Sequence, residues 1–68
     1  MRLLYNYSTA NFAVFPEDGE DIFIKEIVTN GDAYSIYDIS HWTGEDLMDF
    51  SNHTPEDQTG QLENLEEV

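Results

Sequence analysis

The stretch DIFIKEIVTNGDAYSIYDI, residues 21–39, decides how this chain folds. Asn30-Gly31 stands at its centre. Asn-Gly is the favoured dipeptide of a two-residue type I′ hairpin turn, where both central residues need φ > 0. Ile22, Phe23, Ile24, Ile27 and Val28 precede it; Tyr34, Ile36, Tyr37 and Ile39 follow it. Such β-branched and aromatic residues favour strands. The stretch therefore predicts a hairpin that pairs 21–29 with 32–39.

Toward the N-terminus the strand character continues. Leu3, Tyr5 and Tyr7 alternate with Leu4 and Asn6, the period of a pleated strand. Ser8-Thr9-Ala10-Asn11 reads as a turn, and Phe12-Ala13-Val14-Phe15 as a second short strand. In Pro16-Glu17-Asp18-Gly19 the proline sets φ early, and the glycine is expected to supply a positive φ late. Toward the C-terminus the pattern changes after Trp42. Thr43-Gly44-Glu45-Asp46 resembles a helix N-cap, although a capping box usually carries Glu or Gln at its last position. Leu47, Met48 and Phe50 follow, which predicts a short helix over 44–51. Thr54-Pro55-Glu56-Asp57 is a second helix start, with proline at the first helical position. Leu62 and Leu65 give that helix an apolar edge, and Gly60 weakens it.

The predicted class is α+β: a small antiparallel sheet of three to four strands over about residues 2–40, then one or two short C-terminal helices, with a helix on one sheet face as the second layer. Phe12, Phe15, Phe23 and Phe50 are the expected core aromatics. Residues 1–53 read as a compact β-rich domain with a short helix, and 54–68 as an acidic C-terminal helix or tail.

Charge narrows the function. Fifteen Asp and Glu oppose two Lys and Arg in 68 residues, a net charge of -13. A disordered acidic tail would lack the 40% hydrophobic and 13% aromatic content found here. With only Arg2 and Lys25 to meet phosphates, the chain is not expected to bind DNA, RNA or anionic membrane directly. The expected partner is a basic nucleic-acid-binding protein, drawn in by long-range attraction. There is no cysteine, no apolar run near the ~20 residues of a membrane span, and no signal-peptide pattern after Met1-Arg2-Leu3. The expected setting is the cytoplasm, that of the bacterial host if the protein is phage-encoded. Oligomeric state and target are left open.

The candidate partner-binding residues are acids that local structure can cluster. On a helix, carboxylates three or four positions apart share a face, which groups Glu45, Asp46 and Asp49. Glu63, Glu66 and Glu67 can form a second such group, turn acids Glu17, Asp18, Glu20 and Asp21 make a third, and Asp32 and Asp38 flank the expected hairpin. Duplex DNA carries one phosphate per ~3.4 Å of axis on each strand, and carboxylates spread over a rigid fold approximate that field. Tyr34 and Trp42 are candidate anchors, because such side chains bury large area yet keep a polar handle. Tyr34 and Tyr37, three apart, face opposite sides of a strand. His41 and His53 are too far apart for a helical metal pair, although Asp49 and His53 can share a helical face. No nucleophile signature or phosphate loop is present. No catalytic residue, cofactor or metal is expected, and the protein is not expected to be an enzyme.

In size, acidity and the hairpin-plus-helix pattern, the chain resembles the small acidic inhibitors that bacteriophages direct at host defence or DNA-processing proteins: anti-restriction proteins, anti-CRISPR proteins and uracil-DNA glycosylase inhibitors. The resemblance implies a stoichiometric, non-catalytic blocker and carries over no individual residue. A rival reading is an acidic interaction module, such as an adaptor, an antitoxin-like partner or an RNA-polymerase modulator, that binds through an apolar patch or a sheet edge. A third is a halophile-type surface without a special partner, which would fold poorly at low salt.

Overall fold

A computed structural model describes the backbone of residues 1–68 and every side chain except that of Glu20. The elements are β1 (Arg2–Asn6), β2 (Asn11–Phe15), α1 (Glu20–Ile27), β3 (Tyr34–Asp38), α2 (Gly44–Ser51) and α3 (Pro55–Leu62), with a single 3₁₀ turn at Glu17–Gly19. The protein is α+β, a three-stranded antiparallel sheet followed by two C-terminal helices, as the sequence predicts. Strand order is β2-β1-β3, with Leu4 opposite Ala13 on one side and Ile36 on the other.

Helices cover both faces of this sheet, not one. Leu3 and Tyr5 of β1 join Tyr37, Ile39, Phe50 and Leu62 in a core beneath α2 and α3. Leu4 joins Phe15 and Ile36 on the opposite face, where Phe23, Ile24, Ile27 and Val28 pack on them. A strand roofed on both faces buries every residue in turn, and Leu3, Leu4, Tyr5 and Asn6 are all buried.

The second helical layer exists because 20–27 is a helix, where the sequence predicts a strand. Alternation fails at the adjacent polar pair Lys25-Glu26. Phe23, Ile24, Ile27 and Val28 instead follow the i, i+1, i+4, i+5 spacing of one helix face. Ile22, off that face, is 66% exposed. The predicted hairpin is therefore a helix-to-strand connection. The Asp32 amide donates to the Thr29 carbonyl at 2.9 Å, closing a β-turn. Of the two central residues only Gly31 has a positive φ, 97°, so Asn30 does not meet the type I′ requirement. Gly19 has φ -108°, not the positive value expected of it, since its amide closes the 3₁₀ turn onto the Pro16 carbonyl.

Three features tie the layers together. Asn6, fully buried, donates through Nδ2 to the Ile27 carbonyl (3.1 Å) and to Asp32 Oδ2 (2.9 Å). Its Oδ1 accepts from the Ser8 and Thr9 amides. Gln58 of α3 accepts from the Tyr5 hydroxyl at 3.2 Å and donates to the Phe50 carbonyl at 2.9 Å. The chain end then runs along the outer edge of β3: the Asp38 amide donates to the Glu66 carbonyl, and the Val68 amide to the Ile36 carbonyl. No described helix is long and apolar enough to cross a membrane.

Candidate functional site

Helix α2 begins where its first turn is capped. Thr43 Oγ1 accepts from the Asp46 amide at 3.2 Å, and Asp46 Oδ2 accepts from the Thr43 amide at 2.9 Å. This reciprocal pair satisfies two otherwise orphaned donors, with Asp in the position that Glu or Gln more often fills. The cap fixes the direction in which Glu45, Asp46 and Asp49 leave the helix, and all three are exposed. Glu45 and Asp49 are four residues apart, about 6 Å along the helix axis at ~1.5 Å per residue.

Trp42 precedes the cap. Its ring is half-buried and lies 5.4 Å from that of Phe50. Its outer part lines a shallow depression of about 310 Å³ together with His41, Asp46, Asp49 and Gln61. His53 sits one turn beyond Asp49; its Nδ1 donates to the Asp49 carbonyl and lies 4.0 Å from Asp49 Oδ2. The arrangement is an aromatic wall beside two carboxylates, open to solvent. Its chemistry suits a cationic side chain: Arg or Lys gains from a ring face and from carboxylate oxygens at once. Among the described residues, no three His, Cys, Asp or Glu side chains converge to hold a metal ion.

The structure thus brings together Trp42, Asp46 and Asp49 of the sequence-predicted residues, with Glu45 exposed on the same helix. Glu17, Asp18 and Asp21 are exposed but lie with α1, across the sheet from α2, and the side chain of Glu20 lies outside those described. Asp32 and Asp38 are half-buried and engaged within the chain. The Asn6 side chain, then the Thr29 amide, hold the Asp32 carboxyl below its usual pKa. The Ser40 amide and hydroxyl, aided by the N-terminal amine and His41, do the same for Asp38. Tyr34 is 41% exposed whereas Tyr37 is 8% exposed, the opposed orientation that their spacing predicts. Tyr34 starts β3, and Trp42 lies beyond its far end, so the two do not form one patch.

Gln61 is the lining residue that the sequence reading overlooked. Its spacing from the buried Gln58, three residues earlier on α3, is the signal that places it beside α2. A second hollow of about 300 Å³ lies between Tyr7, Tyr37, Glu63 and Glu67. There the Tyr7 and Tyr37 hydroxyls hydrogen-bond to each other. Burial, then the Tyr37 hydroxyl and the nearby Glu67 charge, push the Tyr7 pKa upward. Glu63 and Glu67 of the sequence-predicted C-terminal acidic group line that hollow, away from Trp42 and Asp49.

No protein-family model, curated protein or solved structure matches this chain.

Proposed function

We propose that this protein is a stoichiometric, non-catalytic inhibitor that presents carboxylates in place of nucleic-acid phosphates. Its target is the basic DNA- or RNA-binding surface of a host-defence or DNA-processing protein: a nuclease, CRISPR–Cas effector, restriction enzyme or DNA glycosylase. The observation that carries this reading is the α2 face. Glu45, Asp46 and Asp49 are exposed on a capped helix, and Asp46 and Asp49 line one depression with Trp42. No Lys or Arg follows Lys25 in the chain, so no guanidinium or ammonium of that half offsets them. Apart from Asp32 and Asp38, every described acidic side chain is exposed.

The mechanism is occlusion. The net charge of -13 speeds encounter with a basic groove. On contact, the ~6 Å axial separation of Glu45 and Asp49 spans about two base-pair steps of a phosphate backbone. Trp42 supplies desolvated area beside them. Action in the bacterial host cytoplasm belongs to the same proposal, as does the resemblance to small phage inhibitors.

The test compares the tagged protein with its Glu45→Gln/Asp49→Asn variant in a pull-down from bacterial lysate. These substitutions spare the Thr43–Asp46 cap. Basic nucleic-acid-binding proteins should be retained by the wild type and depleted about tenfold or more on the variant, the effect of ~1.4 kcal/mol. Equal retention would remove the α2 face from the interface.

A further inference from the structure

Among the described residues, strand β2 has β1 on one side and no strand on the other, whereas the outer edge of β3 is closed by residues 66–68. An open edge offers a row of unpaired backbone groups, which proteins usually blunt with Lys, Pro, bulges or inward charges. Asn11-Phe12-Ala13-Val14-Phe15 contains none of these, and its register against β1 is continuous.

The charge pattern says what fits there. No Asp or Glu precedes Glu17, in a chain with fifteen of them. An edge built for a basic strand would gain from carboxylates beside it. An edge that meets another copy of a chain at -13 must lack them. We infer that β2 pairs antiparallel with β2 of a second copy, joining two sheets into one of six strands about a two-fold axis. Centred on Ala13, the register sets Phe12 opposite the second copy's Val14, and Val14 opposite its Phe12. Aromatic and β-branched side chains form favourable cross-strand pairs, and both residues are only partly buried in the single chain. The smallest residue of the strand sits on the axis.

Two consequences follow from symmetry. Each copy has one open edge, so the assembly closes at two and does not extend into a fibre. The two-fold axis is normal to the joined sheet, so both α2–α3 layers fall on the same side. The charge of each copy opposes pairing, so salt strengthens this dimer. That is opposite to the effect of salt on the binding of a basic partner, and it separates this inference from the inhibitor reading.

The experiment is sedimentation equilibrium of the full chain from low salt to about 1 M, where charges are screened within ~3 Å. It is joined by oxidation of Ala13→Cys with oxidised glutathione, Asn64→Cys serving as control. Directly opposed strand residues lie ~4.5–5.5 Å apart at Cα, within disulfide reach. A monomer–dimer equilibrium that shifts toward dimer with salt is expected. Ala13→Cys should also cross-link about tenfold faster than Asn64→Cys, because only the former opposes its own copy. A monomer at every salt and concentration would overturn the inference. So would a dimer in which the two thiols cross-link at equal rates.

Discussion

Asn6 concentrates more of the fold than any apolar residue of its size. It is fully buried, and its amide group holds together the end of α1, the β1–β2 loop and the turn before β3. Asn6→Ala removes four hydrogen bonds, leaves the partly buried Ile27 carbonyl and Asp32 carboxylate without this donor, and opens a cavity at a fully buried position. It should cost about 2–4 kcal/mol in urea unfolding, a large share of the stability of so small a domain. Asp32 belongs to the same network. Folding lowers its pKa, so its stabilisation is complete above the usual carboxylate value of about 3.9 and is lost as pH falls through the lowered value. Asp32→Asn should therefore flatten the acid limb of the stability curve between about pH 5 and pH 2. An acid limb identical to the wild type's would show that Asp32 carries no such linkage. The sequence marks Asp32 as an acid beside a turn, which is why it reads as a partner ligand. Its true partner, Asn6, is 26 residues away, and local pattern cannot reveal that pairing.

At the scale of elements, the helix caps and the first hairpin were readable from neighbouring residues, whereas two turns were not. The β1–β2 hairpin, both helix starts and the capping threonines all follow from residues within four positions of one another. Thr43→Ala should lower stability by about 1 kcal/mol, with the loss visible as reduced helical circular dichroism at intermediate urea. Thr54, which accepts from the Asp57 amide at 3.3 Å, should behave likewise. Helix α1 was not readable from propensity. Its Ile, Phe and Val content favours a strand, but burial against Leu4, Phe15 and Ile36 overrides that preference. The Lys25-Glu26 break in alternation was the available signal. Asn30-Gly31 misled for a related reason: several turn types use glycine at that position, and only Asn30 distinguishes them. Gly31→Ala should destabilise by about 1–2 kcal/mol, since φ of 97° is strained for any residue with a Cβ.

The whole molecule separates two kinds of surface. Helices α2 and α3 present carboxylates with no cation from Lys or Arg in that half of the chain, while the β1–β2 hairpin carries no acid at all. Grouping Trp42, Asp46, Asp49 and Gln61 needed the fold, because Gln61 reaches the site from another helix. The α1 acids became separate from this group only once 20–27 proved helical and covered the opposite face. Binding to a basic target should weaken steeply with salt, because exposed carboxylates are screened beyond ~8 Å at physiological ionic strength. The most direct measurement is the pull-down from bacterial lysate repeated with excess duplex DNA. Mimicry of the phosphate backbone predicts that DNA releases the captured basic protein. Retention of that protein in the presence of saturating DNA would contradict it.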